Sequence, residues 1–120
     1  MKSRVLTGPI YSRLLWELTK SIPKGKYKGV YGVPRGGLIP AVYLSHYLNI
    51  PLISTLDIGQ EILVVDDIVD TGDSLRKLSD IFDVASLFWR RSASFEPTYW
   101  VYDAMDKWIV FPYEEGGLIE

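Results

Sequence analysis

The sequence predicts an α/β domain in which a mostly parallel sheet carries helices on both faces. Short apolar runs with the length of buried strands alternate with segments whose apolar residues recur every three or four positions. This alternation is typical of strand–helix–strand units, whose strands run parallel. A chain of 120 residues has the length of a single domain, residues 1–120, with one modest hydrophobic core.

Three segments predict helices. The first begins at Thr7-Gly8-Pro9, where a proline suits the first helical turn, and it ends before Pro23. The second, residues 38–48, is almost wholly apolar and has Pro40 in its first turn, so we expect a buried helix. The third is predicted over residues 74–82, where apolar side chains recur at helical spacing.

Short apolar runs between these helices predict the strands of the sheet. They lie at residues 27–33, 52–54, 62–65, 84–89, 99–102 and 108–111. In parallel sheets of this kind, ligands bind beyond the C-terminal ends of the strands. Two polar loops of this sequence fall there, one after the strand at 27–33 and one after the strand at 62–65.

The composition excludes several classes of protein. A net charge of −2 provides no basic field for nucleic acid. The chain contains no cysteine, which excludes a disulfide framework and a thiolate metal site and agrees with a reducing cytosol. Arg13 and Glu17 interrupt the apolar positions near the N-terminus, so we expect no signal peptide. No stretch approaches the ~18 apolar residues of a membrane span, and we therefore expect a cytoplasmic protein.

The most informative segment is EILVVDDIVDTGDSL, residues 61–75. Asp66 and Asp67 follow a buried strand, and the turn Asp70-Thr71-Gly72-Asp73-Ser74 leads into a predicted helix. Backbone N–H groups at such a turn bind anions, and Gly72 permits a positive φ and a close approach. The paired acids would repel a phosphate and suit sugar hydroxyls or a metal ion. An ordinary capped strand–turn–helix explains one acid of this run, but not four in eight residues.

The loop after the first predicted strand offers a second place for an anion. It reads Gly32-Val33-Pro34-Arg35-Gly36-Gly37, and Arg35 presents donors that match phosphate oxygens. Taken alone, it reads more simply as a glycine-rich turn with a solvent-exposed arginine. Together with the acidic run it predicts a site for two phosphates. The P-loop and dinucleotide fingerprints are absent, since Leu38 follows Gly37 and no GxGxxG occurs.

The run from Ile62 to Ser74 resembles the phosphoribosyl-pyrophosphate (PRPP) signature of the type I phosphoribosyltransferases. Four apolar residues, two acids, two apolar residues and the phosphate loop follow one another as in that family. The resemblance implies the fold of that family, in which Asp66 and Asp67 bind the ribose and Mg²⁺. It also implies a 5′-phosphate loop formed by Asp70, Thr71, Gly72, Asp73 and Ser74.

The loop around Arg35 is similar to the pyrophosphate loop of the same family. The resemblance implies that Pro34, Arg35, Gly36 and Gly37 bind the pyrophosphate of PRPP. It also implies a non-proline cis peptide, which in this chain would join Pro34 to Arg35.

Two C-terminal segments resemble the 6-oxopurine phosphoribosyltransferases. Arg90 ends a predicted strand where those enzymes have a lysine that contacts the purine O6, and Trp108-Ile109 begins a Trp-Ile-x-x-Pro-aromatic-acid segment. The resemblance implies that Arg90 contacts the base, that Trp108 stacks on it and that Ile109 contributes backbone groups. Without the resemblance, Trp108 reads as a core aromatic residue.

The resemblance implies a pentosyltransferase of purine salvage. It would transfer the 5-phosphoribosyl group from PRPP to a 6-oxopurine, with Mg²⁺, and give a nucleoside 5′-monophosphate and pyrophosphate. Asp70 would handle the N7 proton of the base. The family also implies a homodimer, for which Tyr99, Trp100 and Tyr102 are candidate surface residues.

Two other functions stay open at this point. One is a non-catalytic regulator of the same fold that binds PRPP or a nucleotide, and the other is a pyrimidine or other salvage transferase, which the Trp108 segment disfavours. The chain departs from the family at residues 55–60, which are too few for the usual mobile lid. We therefore expect a minimal hood. Either another segment or a partner subunit covers the site, or catalysis is weak, or the fold serves binding alone.

Overall fold

Seven strands and four helices lie along residues 2–115, the part of the chain that this computed structural model describes. In chain order the elements are β1 (Lys2–Val5), α1 (Gly8–Ser21), β2 (Gly29–Gly32), α2 (Leu38–Leu48), β3 (Leu52–Ile53), β4 (Ile62–Val69), α3 (Arg76–Ser79), β5 (Asp83–Trp89), β6 (Tyr99–Asp103), β7 (Lys107–Val110) and α4 (Pro112–Glu115). Among the helices of the described residues, none is long and apolar enough to cross a membrane.

The main sheet has the strand order β3-β2-β4-β5-β6, and all of its neighbouring strands are parallel. The predicted α/β class with a parallel sheet is therefore confirmed. A separate two-stranded parallel sheet pairs β1 with β7, in the register Lys2↔Lys107 to Val5↔Val110. This small sheet is the hood, and it brings the two ends of the described chain together.

Both faces of the central strand β4 are buried because its apolar residues alternate between the faces. Leu63 and Val65 belong to the cluster that α1 and α2 cover. Ile62 and Val64 belong to a second cluster on the opposite face, which includes Leu75 and Phe82 from either side of α3. The two long helices thus share one face, and the other face is closed by a single helical turn and by loops.

The two long helices begin and end as the sequence predicts. Thr7 is the N-cap of α1, and its Oγ1 accepts a hydrogen bond from the backbone N–H of Ile10 at 3.4 Å, with a proline in the first turn. α2 spans Leu38–Leu48 as predicted and ends at Asn49, which adopts the left-handed conformation with φ of 53°. These ends follow from local chemistry.

Most predicted strand ends differ from the structure by one or two residues, and two elements differ by more. β4 runs to Val69 and not to 65, because Asp66 and Ile68 continue the pairing with Ser86 and Phe88 of β5. The third helix covers only Arg76–Ser79 and not 74–82. The helix ends at Ser79, and the carbonyl of Leu78 accepts hydrogen bonds from the N–H groups of both Ile81 and Phe82 before β5 begins.

The sequence analysis did not predict β1 or α4. β1 has the sequence KSRV, is largely exposed and shows no apolar alternation. It is a strand because the backbone of β7 pairs with it. A distant partner of this kind cannot be predicted from the local sequence pattern. α4 is a single turn of four residues.

We expect that Leu63→Ala lowers the free energy of unfolding by ~2–5 kcal/mol, because it leaves a cavity in the middle of the central strand. Leu63 is fully buried. Urea denaturation measures the change. Ile58→Ala, at a side chain that is 73% exposed, is the control and should change stability by less than ~0.5 kcal/mol. Equal effects of the two substitutions would contradict this placement of the core.

Candidate active site

The predicted site residues meet at one edge of the main sheet. The Arg35 loop follows β2, and Arg90 follows β5. The paired acids lie in the second half of β4, and the 70–74 loop comes directly after this strand. Since parallel strands end at the same edge, these segments lie side by side. Trp108 and Ile109 reach the same edge from β7 of the hood. The structure thus brings together residues that are up to 75 positions apart, from Pro34 to Ile109.

Two cavities occupy this edge. One, of about 470 Å³, is lined by Arg35, Gly36, Asp67, Tyr113 and Glu114. The other, of about 120 Å³, has Asp67, Asp70, Arg90, Trp108, Ile109 and Glu114 among its lining residues. Asp67 and Glu114 line both, so the larger polar cavity and the smaller aromatic cavity share a wall. Two other clefts on the described surface, of about 430 and 610 Å³, contain none of the predicted site residues.

The paired acids at the end of β4 are held by backbone N–H groups. Asp66 Oδ1 accepts from the N–H of Asp67 at 2.8 Å, and Asp67 Oδ1 accepts from the N–H of Ile68 at 2.8 Å. Burial, and then the adjacent charge of Asp67, raise the pKa of Asp66 to about 8. At neutral pH the protonated form of Asp66 is therefore favoured in the folded chain.

Two carboxylates are a suitable but incomplete ligand set for a hard divalent cation. No group of three or more candidate metal ligands occurs among the described residues. Mg²⁺ commonly takes one or two carboxylates from the protein and the rest of its oxygen ligands from water and substrate phosphates. A cation at this position would also displace the proton of Asp66. The residues present therefore fit Mg²⁺ that arrives with a phosphorylated ligand.

The Arg35 loop packs directly on Asp67. The Pro34–Arg35 peptide is cis, as the family resemblance implies. A Cβ placed on Gly36 would overlap the Asp67 carboxylate, and one on Gly37 would overlap the carbonyl oxygen of Val65. Glycine is thus required at both positions by the close approach of this loop to β4.

The 70–74 loop leaves backbone donors available. Gly72 has a positive φ of 84°, and a Cβ there would lie 2.6 Å from Ser94 Oγ. Thr71 Oγ1 accepts from the N–H of Asp73 at 3.2 Å. Within residues 2–115, the N–H groups of Thr71, Gly72 and Ser74 donate to no protein group. Because α3 is only one turn long, these N–H groups, and not a helix dipole, are what the loop offers an anion.

Arg90 and Trp108 differ in their surroundings. Arg90 is buried and donates to Asp70 and to two backbone carbonyls. Trp108 is 54% exposed, so it is not a core aromatic residue, whereas the neighbouring Ile109 is buried. The exposed indole forms one wall of the smaller cavity.

Sequence reasoning missed two tyrosines beside Asp67. The hydroxyl of Tyr113 donates to Asp67 Oδ2, and its ring stacks on Phe111 with centroids 5.7 Å apart. The hydroxyl of Tyr11 is buried and has no hydrogen-bond partner among the described residues. Burial, followed by the charge of Asp67, raises the pKa of Tyr11. Tyr113 is the aromatic residue of the Trp108 segment, so the sequence pattern could have indicated a role in the site. The sequence around Tyr11 indicates only the apolar side of α1.

Comparisons with known proteins agree on one family. No family model matches the chain. The xanthine-guanine phosphoribosyltransferase of Vibrio atlanticus is 31% identical over 128 aligned residues, which span 87% of this chain and 82% of the relative. This alignment is longer than the part of the chain that it spans, so the relative has additional residues within it.

Two solved structures have nearly the same extent as this chain. The purine phosphoribosyltransferase from Pyrococcus horikoshii superposes with a TM-score of 0.83 at 31% identity and covers 95% of both chains. The xanthine-guanine-hypoxanthine phosphoribosyltransferase from Helicobacter pylori gives a TM-score of 0.82 at 25% identity and covers 97% of this chain and 96% of the other.

We expect the stability of this protein to fall as the pH rises from about 4 to about 8. The pKa of Asp66 is about 8 in the folded state and near 3.8 when unfolded, so only the folded chain keeps the proton in this range. Asp66→Asn should flatten the decline and should stabilise the protein at pH 8 by at least ~1.4 kcal/mol, the free energy of one pKa unit.

Thermal or urea unfolding across this pH range, without divalent cations, measures the effect. Asp73→Asn, at an exposed position of the adjacent loop, is the control and should leave the slope unchanged. Parallel curves for the wild type and Asp66→Asn would show that Asp66 ionises normally.

Proposed function

This chain belongs to the type I phosphoribosyltransferases and is most similar to their 6-oxopurine members, and from this premise we propose how its residues act on PRPP and a purine. It is a purine phosphoribosyltransferase, an enzyme of the pentosyltransferase class. Its relatives carry the names of enzymes, which does not favour a non-catalytic regulator. Our assignment of the site rests on one observation, the contact of the Arg35 loop with Asp67. This contact brings the two anion-binding loops together at the paired acids.

PRPP would bind across the C-terminal ends of β2 and β4. The free N–H groups of the 70–74 loop, with the hydroxyls of Thr71 and Ser74, suit its 5′-phosphate. Arg35, Gly36 and Gly37, with the backbone of Pro34, suit its pyrophosphate. Asp66 and Asp67 lie between the two loops, where the ribose hydroxyls would reach them.

We assign Mg²⁺ as the cofactor, held by Asp66 and Asp67 on the protein side. When bound, it neutralises charge on the pyrophosphate leaving group. The guanidinium of Arg35 adds positive charge at the same end of the larger cavity.

The smaller cavity is the proposed purine site. The exposed face of Trp108 would stack on the base, and the backbone of Ile109 would contact its edge. The base nitrogen attacks C1′ while the C1′–O bond breaks, and the electron pair of that bond leaves with pyrophosphate. The N7 proton of the base passes to Asp70, which lines the same cavity.

The C-terminal segment supplies part of the cover that residues 55–60 are too short to form. Tyr113 and Glu114 line the larger cavity together with Arg35 and Gly36, and the Tyr113 hydroxyl donates to Asp67. The Pyrococcus enzyme has the same fold over nearly the same extent, so a short chain is compatible with a purine phosphoribosyltransferase.

A homodimer would explain the composition of α2. This helix contains no charged residue of the Asp, Glu, Lys or Arg type, and four of its apolar side chains are between 40% and 44% exposed: Leu38, Ile39, Val42 and Tyr47. A helix that is apolar on all sides is normally buried. We propose that two copies pair through these residues, the α2 face.

The α2 face is a better dimer surface than the aromatic residues expected from the sequence. Tyr99 and Trp100 are partly buried against Tyr27 and Trp89 of the same chain, which leaves only Tyr102 well exposed. For localisation, the absence of cysteine supports a reducing compartment such as the cytoplasm.

A product assay tests the proposed reaction. The protein is incubated with PRPP, Mg²⁺ and hypoxanthine, guanine or xanthine, and nucleotide is separated by chromatography; adenine and orotate are the comparison bases. We expect a nucleoside 5′-monophosphate from at least one 6-oxopurine and none when EDTA is present. Product from orotate alone would favour the pyrimidine alternative. PRPP binding without product from any base would favour the regulator.

We expect Asp70→Asn to lower kcat by ~10²–10⁴-fold, because an amide cannot accept the N7 proton. PRPP binding should persist, since the N–H groups of the phosphate loop remain in place. Steady-state kinetics and calorimetric titration of PRPP measure the two effects. Asp80→Asn, at an exposed ion pair with Arg76, is the matched control. Near-normal turnover of Asp70→Asn would remove Asp70 from this role.

We expect Val42→Glu to convert a dimer into a monomer, because each copy would bury a charge at the centre of the α2 face. Analytical ultracentrifugation of both proteins measures the mass. Ile81→Glu is the control, since Ile81 is equally exposed but lies after α3. A wild-type monomer at all concentrations, or a dimer that Val42→Glu leaves intact, would show that the α2 face is not the interface.

A further inference from the structure

Each nitrogen of the Arg90 guanidinium already donates one hydrogen bond within the protein. Its Nε donates to Asp70 Oδ1 at 2.6 Å, its Nη1 to the carbonyl oxygen of Met105 at 2.6 Å and its Nη2 to the carbonyl oxygen of Lys107 at 3.0 Å. The side chain is only 11% exposed. All three nitrogens of the planar fork therefore have an acceptor, and these acceptors come from two different parts of the site.

One acceptor belongs to the phosphate loop. Asp70 is the first residue after β4, and its side chain is partly exposed at the wall of the purine cavity. Among the described residues, only Arg90 donates a hydrogen bond to the Asp70 carboxylate. The position of Asp70 relative to the base thus depends on Arg90.

The other two acceptors belong to the turn that leads into the hood. Met105 adopts a left-handed conformation with φ of 57°, which is unfavourable for a residue other than glycine. Its N–H donates to Asp103 Oδ1 at 2.8 Å, and its carbonyl accepts from Arg90. Lys107, whose carbonyl is the third acceptor, directly precedes Trp108. Arg90 therefore holds the turn that sets the position of the stacking residue.

We infer that Arg90 is a positioning residue that fixes Asp70 and the 105–107 turn relative to each other, and that it does not read the purine carbonyl. The inference rests on the proposed function, since Asp70 and Trp108 are assigned there. A purine between Asp70 and Trp108 would contact a proton acceptor and a stacking face whose positions both depend on Arg90. An arginine suits this role because its donors form a rigid fork, whereas a lysine has one nitrogen and cannot span three oxygens in this arrangement.

Arg90→Lys distinguishes positioning from reading of the base. If Arg90 positions, the lysine variant loses the fork, and kcat falls by ~10–100-fold because Asp70 and the base are misaligned. The KM for PRPP should stay within about threefold, because Arg90 hydrogen-bonds the Asp70 side chain and not the N–H groups proposed to bind the phosphate. If instead Arg90 reads the carbonyl, as the lysine of the family does, kcat should stay near normal and only the KM for the base should change. That result would overturn the inference.

Arg91→Lys is the matched control for the same substitution at the next position. Arg91 pairs with Asp103 at 2.6 Å through an exposed side chain, outside both cavities. It should retain wild-type kinetics. A loss of kcat equal to that of Arg90→Lys would mean that any change at this end of β5 disturbs the site, and it would also overturn the inference.

Amide hydrogen exchange gives a readout that is independent of activity. In Arg90→Lys, exchange should accelerate at two separate segments, residues 70–74 and 104–108, and in Arg91→Lys at neither. If thermal denaturation shows that Arg90→Lys is not folded, Arg90→Gln replaces it with the same expectation. Unchanged exchange in both segments would overturn the inference. Failure of the wild type to make nucleotide would instead contradict the proposed function, and the exchange result would still decide whether Arg90 links the two segments.

Discussion

The contact between the Asp67 carboxylate and the backbone of Gly36 is the constraint on which the site depends. No side chain fits at Gly36, so the loop after β2 lies directly against the end of β4. The same carboxylate accepts hydrogen bonds from Ile68 in β4 and from Tyr113 in α4. Three segments distant in sequence are therefore fixed to one charged group. The spacing between the two anion-binding loops follows from this contact, and so does the size of the cavity between them.

Burial also controls the ionisation of the paired acids. Asp66 and Asp67 lie in the second half of the central strand, where burial and the adjacent charge of Asp67 raise the pKa of Asp66. The site thus combines the Asp67 carboxylate, a second carboxyl that ionises when a cation binds, the free N–H groups of the 70–74 loop and the guanidinium of Arg35. This combination suits a ligand that brings phosphates and a divalent ion together.

Local patterns in the sequence predicted what local chemistry determines. The ends of α1 and α2 follow from Thr7 and Asn49, and the two loops of the site follow from glycine, arginine and the acids. The pairing of β1 with β7 could not be predicted, because the residues of KSRV carry no apolar alternation. The length of α3 depends on where the chain must turn to enter β5. The three acceptors of Arg90 come from residues 70, 105 and 107, so its role appears only in three dimensions.

The parallel pairing of β1 with β7 also has a consequence for biosynthesis. β1 is made about a hundred residues before its partner β7. The main sheet can assemble while β1 still has exposed edges, and contacts between such distant segments form slowly. A nascent chain therefore has its phosphate loops before it has a purine pocket, and the hood closes only when synthesis reaches Val110.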